Sequence, residues 1–166
     1  MRALISLITL LSTASSFALP CKQYEKVAEY LNTKKFIAAS REHKALKREP
    51  QLDLGDVNQA RTVAYRLPAF EELGFGRPGS AGWTSYKGRL SKSALNGKKI
   101  GWDIKNDKGY ARVRLDWDAE KGGHYNIEIT QSVNGKKETH KLAVGFLCGN
   151  VKCSEAQIIK MAEKLQ

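Results

Sequence analysis

Within residues 99–147 the chain alternates apolar and polar side chains in four segments separated by Gly, Asn, Asp and Lys. A period of two belongs to a strand with one buried face, so this stretch predicts a four-stranded antiparallel β-meander. Ile100, Trp102 and Ile104 are in phase in the first segment, and Val113, Leu115 and Trp117 in the second. Tyr125, Ile127 and Ile129 follow in the third, and Leu142, Val144 and Phe146 in the fourth. Asn106-Asp107-Lys108-Gly109 and Val133-Asn134-Gly135 carry the residues that tight hairpins require.

Helical spacing surrounds this sheet. Tyr24, Val27, Ala28 and Leu31 predict a helix over 21–32. Thr33 can cap a second helix, carrying Phe36, Ile37 and Ala45 and ending before Pro50. Asp56 is placed to cap a third, whose Ala60, Val63 and Ala64 precede the turn-forming Pro68. Ser154, with Gln157 three residues on, forms a capping-box pattern ahead of Ile158, Ile159, Met161, Ala162 and Leu165. The fold class expected is therefore α+β: N-terminal helices over 19–73, the meander over 99–147, and a terminal helix over 154–165 packed on the sheet. Residues 74–98, rich in Gly, Ser, Lys and Arg, read as a long basic surface loop.

Residues 1–18 have the pattern of a secretory signal, with Arg2 before an apolar run and small residues around Ala18. A cleaved signal makes the expected product secreted or periplasmic, and no other stretch is long enough to cross a bilayer. Removing eighteen residues from 166 leaves 148, and with Arg2 gone the formal charge falls from +11 to +10. That length predicts a single domain, taken as a monomer, with a core that needs no cofactor to fold. Its charge favours RNA or another polyanion, or an acidic protein, as partner. Cys21, Cys148 and Cys153 enter an oxidising compartment, where a local Cys148–Cys153 loop and a bridge from Cys21 to either are all open.

The polar phase of the strands defines a second face. It holds Lys99, Asp103 and Lys105, then Arg112, Arg114 and Asp116, then His124, Asn126 and Glu128, and finally Thr139 and Lys141. These are the groups that RNA transesterification without metal requires: a base for the 2′-hydroxyl, an acid for the leaving 5′-oxygen, and cations for the phosphoryl oxygens. Glu128 and His124 fit the first two roles, although four residues of strand separate them by about 13 Å. Arg112 and Arg114 fit the third, since a guanidinium grips two phosphate oxygens at once. Lys99, Lys141 and Asn126 are expected to bind substrate, and Trp83, Tyr86 and Arg89 in the basic loop to stack on bases and hold phosphates. The same charges also serve simply to keep an exposed sheet soluble.

His140, in phase with Leu142 and Val144, is expected to face the apolar side, and His43 to sit on an exposed helix face. No paired-histidine, spaced-cysteine, phosphate-loop or dinucleotide motif is present, so neither metal nor cofactor is expected. Asp116, Asp118 and Glu120 come nearest to a carboxylate cluster and read as a turn.

Trp102-Asp103, the run Leu115-Asp116-Trp117-Asp118, and Lys121-Gly122-Gly123-His124-Tyr125-Asn126, with a closing helix, make residues 101–165 resemble the small nuclease domains of bacterial polymorphic and contact-dependent toxins. The resemblance implies an RNA-cleaving toxin or effector with His124 in catalysis, basic strand residues on the substrate, and an acidic immunity or inhibitor protein as partner. Those domains sit behind long delivery regions, whereas this chain begins with its own signal pattern. The competing expectation is a secreted, non-enzymatic binding module, inhibitor- or adhesin-like, that uses the same face on an acidic protein or glycan.

Overall fold

The computed structural model of the protein describes residues 32–45, 50–89 and 93–165. The expected signal segment, the first expected helix up to residue 31, and Cys21 lie outside the described residues. In chain order the elements are α1 (Thr33–Ala45), β1 (Gln51–Asp53), α2 (Val57–Tyr65), α3 (Pro68–Glu72), β2 (Thr84–Lys87), β3 (Lys99–Asn106), β4 (Gly109–Asp118), β5 (Gly122–Val133), β6 (Lys136–Gly145), β7 (Leu147–Cys148), β8 (Val151–Lys152) and α4 (Glu155–Glu163).

The α+β class holds, and β3 to β6 occupy the four alternating segments. Asn106 faces Gly109 across one hairpin and Val133 faces Lys136 across another. The latter turns through Asn134 (φ 52°) and Gly135 (φ 75°), both left-handed as a two-residue type I′ turn demands. The sheet is larger than the expected meander, however. It has six strands in the order β1-β6-β5-β4-β3-β2, antiparallel except where β1 lies parallel to β6, and β7 and β8 form a separate two-stranded ribbon.

Both extra strands correct the sequence reading. The stretch 74–98 is not one surface loop: Thr84–Lys87 pairs with β3, and Trp83, Tyr86 and Leu95 are buried. Short turns at Gly74, Gly76, Gly79 and Gly82, all with positive φ, make this possible by folding the chain back before β2. At the other edge, three residues suffice for β1 because Ala143 N donates to Pro50 O and Leu54 N to Gly145 O. The rest of the β6 edge is covered by α1. Ser40 Oγ accepts from Lys141 N at 3.1 Å, and Arg41 grips both oxygens of Glu138 at 2.6 and 2.8 Å.

The helices bury the apolar face of the sheet. Phe36 of α1, Ala60, Val63 and Ala64 of α2, Phe70 of α3 and Ile158 and Ala162 of α4 pack against Val113, Leu115, Ile127, Ile129 and Val144. Asp56 caps α2, accepting from Asn58 N and Gln59 N at 2.9 Å each. Ser154 and Gln157 form the expected capping box of α4, a device worth about 1 kcal/mol. Pro68 does not merely end a helix: it occupies the first turn of α3, where its missing N–H costs nothing.

His140 lies in this core, 1% exposed, with its ring edge-on to Phe36 at 6.1 Å. His43 is only half-buried rather than fully exposed, and its Nδ1 is shielded without a partner. Cys148 and Cys153 are bonded to each other and close the loop that carries the β7–β8 ribbon. Among the described residues no helix is long and apolar enough to cross a membrane.

Candidate functional site on the polar face of the sheet

Residues directly opposite in an antiparallel pair point to the same side, so the register sets the polar face out in rows. Lys141, Glu128, Arg112 and Asp103 form one row. Ala143, Asn126, Arg114 and Gly101 form the next, and Gly145, His124 and Asp116 a third. β1 extends two of them, placing Gln51 beside Ala143 and Asp53 beside Gly145. β2 places Tyr86 beside Gly101.

Two networks result. In the first, Arg112 Nη2 lies 2.8 Å from Glu128 Oε2, and its Nη1 donates to the Tyr86 hydroxyl at 3.0 Å. The Tyr86 ring is 4.8 Å from the Arg112 guanidinium and 5.5 Å from that of Arg89. Burial opposes the Arg112 charge, but Tyr110, Glu128 and Tyr86 outweigh it and hold the pKa above its ordinary value. Burial also pushes the Tyr110 hydroxyl up.

In the second network, Asp116 Oδ2 accepts from Asn126 Nδ2 at 3.0 Å and pairs with Arg114 Nη2 at 2.9 Å, while its Oδ1 accepts from Trp117 N. Asn126 Nδ2 also points at His124 Nε2, 3.3 Å away. The other ring nitrogen, Nδ1, is 3.0 Å from Gly122 O. A carbonyl only accepts, so Nδ1 carries the hydrogen and Nε2 keeps its lone pair toward Asn126. Asp118 Oδ2 is 3.9 Å from Nε2.

The structure thus joins Arg112 to Glu128 and His124 to Asn126, Asp116 and Arg114. It places no bond between His124 and Glu128. His124 itself is 2% exposed, deeper than a residue of an open polar face is expected to sit. Lys141 and Arg89 are exposed. Three substrate-binding expectations change. Trp83 is 7% exposed, donates from Nε1 to Phe75 O at 2.9 Å and stands edge-on to Phe70, so it is a core residue and not a stacking platform. Lys99 lies beyond a register shift between Tyr86 and Lys87, and its ammonium sits 4.4 Å over the Trp102 ring instead of joining the arginines. Tyr86 is buried too, but among the arginines, where it orients Arg112.

Sequence reading missed Gln51 and Asp53. Their only signal is a three-residue polar-apolar-polar stretch, and its parallel partner lies some ninety residues away. Among the described residues no three His, Cys, Asp or Glu side chains converge as a metal site. Asp116 is committed to Arg114 and Asn126, and Asp118 Oδ1 accepts from Lys121 N at 2.5 Å in the turn before β5. No protein-family model matches the chain, and no curated protein matches it.

Proposed function

We propose that this protein binds RNA on the polar face of its sheet and cleaves it without metal, by attack of a 2′-hydroxyl on the adjacent phosphate. The observation that carries the reading is the row of Lys141, Glu128 and Arg112 beside the Arg114–Asp116–Asn126–His124 network, in a chain of net charge +11. It puts a carboxylate, an imidazole and two guanidiniums on two adjacent strands, with the Lys141 ammonium on a third. Glu128 takes the proton of the 2′-hydroxyl as the new 2′-oxygen to phosphorus bond forms. Arg112 and Arg114 stabilise the charge gathering on the phosphoryl oxygens. His124 must first take up a proton at Nε2, with the Asn126 amide turning away from that nitrogen, and it then gives that proton to the 5′-oxygen as its bond to phosphorus breaks. The products are a 2′,3′-cyclic phosphate and a free 5′-hydroxyl. Gly122 O holds the ring through Nδ1, and Asp118 Oδ2 lies 3.9 Å from Nε2.

A second reading, a non-enzymatic module for an acidic partner or glycan, is favoured by one observation. The His124 side chain is 3% exposed and both arginines are already paired. The test incubates purified protein with mixed RNA in excess EDTA, beside Glu128→Gln and His124→Ala variants whose folding is checked by circular dichroism. Cleavage that leaves cyclic phosphate ends and is lost in either folded variant supports the enzyme. Intact RNA bound in a salt-sensitive way supports the binding module.

A further inference from the structure

Beyond Gly145, on the side away from Asp116, the third row of the polar face ends at Asp53 and opens into a cleft of about 500 Å³ at the end of the sheet. Its apolar lining is Leu54, Phe146 and Leu147, and its polar lining is Gln51, Asp53, Glu120, Lys121 and Lys152. A space of this size, with an apolar wall and polar groups facing it, is the form of a small-molecule site and is ample for one nucleobase.

The polar groups are arranged rather than scattered. Gln51 and Asp53 are two apart on β1 and share a face, and Gln51 Nε2 donates to Asp53 Oδ1 at 2.7 Å. That contact orients the carboxamide with its nitrogen toward the carboxylate and leaves the second Nε2 hydrogen free to donate. The pair therefore presents a donor beside two carboxylate oxygens that only accept. Gly145, the cross-strand neighbour of His124, is what lets Asp53 stand there, since a β-carbon at position 145 would collide with Asp53 Oδ1. At the opposite wall Lys152 donates to Glu120 O, which ties the β7–β8 ribbon to the turn before β5.

We infer that this cleft is a guanine site, with Asp53 accepting from the base N1–H and N2–H and Gln51 donating to O6. Guanine is the one RNA base whose Watson–Crick edge carries two adjacent donors followed by an acceptor. Adenine and cytosine each offer a single amino donor next to an acceptor nitrogen, and uracil has its one donor between two acceptors. Leu54, Phe146 and Leu147 supply the apolar surface for the ring. The inference deepens the ribonuclease reading and rests on it for its biological meaning: a guanosine seated beyond Gly145 would direct cleavage to the phosphate nearest His124.

The test measures binding of the 3′-monophosphates of guanosine, inosine, adenosine, cytidine and uridine to the intact protein by calorimetry, with Asp53→Asn and Gln51→Met as variants. Guanosine monophosphate is expected to bind at least about tenfold more tightly than the adenosine, cytidine and uridine forms, since hydrogen bonds to a charged acceptor are the strong ones. Inosine monophosphate, which lacks the N2 amine, is expected to fall between. Asp53→Asn should erase the preference, and Gln51→Met should reduce it, with both folds unchanged by circular dichroism. Equal binding of all the nucleotides, or a guanosine preference that survives Asp53→Asn, overturns the inference. RNA cleavage in the same preparations separates the two readings. Cleavage indifferent to base sinks the guanine site and leaves the nuclease standing, whereas selective guanosine binding without cleavage does the reverse.

Discussion

Arg112 and Glu128 stand directly opposite each other on β4 and β5, joined at 2.8 Å with side chains only 18% and 23% exposed. Partial burial raises the stake of such a pair above that of a surface ion pair, because removing one partner leaves the other short of both water and countercharge. A double-mutant cycle with Arg112→Ala and Glu128→Ala, read by urea unfolding, is expected to give a coupling energy of about 1 kcal/mol or more. A value indistinguishable from zero would mean that the pair is held by its neighbours and not by mutual attraction.

His140 makes stability depend on acid. Burial lowers its pKa below the ordinary histidine value. Glu138, 3.8 Å away, opposes the shift, and Arg41 and Lys44 reinforce it. Both ring nitrogens are shielded without partners. The unfolded chain therefore takes up a proton more readily than the folded one. The stability from this site is fully present above the unfolded pKa of about 6.5 and declines as pH falls from there toward the folded value. In His140→Leu that contribution to the acid limb should vanish. The wild-type melting temperature should fall relative to that of His140→Leu as the pH drops from about 7.5 to about 5; a difference that stays constant refutes the idea.

The Cys148–Cys153 bond closes a short loop, so the chain-entropy argument assigns it a modest contribution of about 2 kcal/mol. Reduction, or a Cys148→Ser/Cys153→Ser double variant, is expected to lower the unfolding free energy by that amount without unfolding the protein. The ribbon it closes carries Lys152 to the rim of the cleft, so nucleotide affinity should weaken in the same variant.

Gly145→Ala provides a probe of the cleft that leaves its polar groups chemically intact. The added carbon meets the exposed carboxylate of Asp53, which can swing away, so stability should change by less than about 1 kcal/mol. Guanosine preference should nevertheless fall, because the carboxylate is displaced. An unchanged preference would show that Asp53 does not contact the base.

Much of the architecture is legible in short-range pattern. Strand parity separates Val113, Leu115, Ile127 and Val144 from Arg112, Arg114, Asn126 and Glu128, and the structure keeps that separation along β4 to β6. The hairpin residues Asn134-Gly135 and the caps Asp56 and Ser154 act within a few residues of themselves, so composition alone announces them.

What the chain announces by itself is therefore the alternation, the turns and the caps, because each depends on neighbours close in sequence. Tertiary structure alone decided that Gln51–Asp53 runs parallel to β6, and that Trp83 turns into the core while Tyr86 stays among the arginines. It also sank His124 from an expected place on the open polar face to near-complete burial. Each outcome depends on which distant surface arrives to cover the residue. Pairing across many tens of residues leaves no local period to read, and burial is a property of both partners at a contact, of which the sequence around either one shows only half.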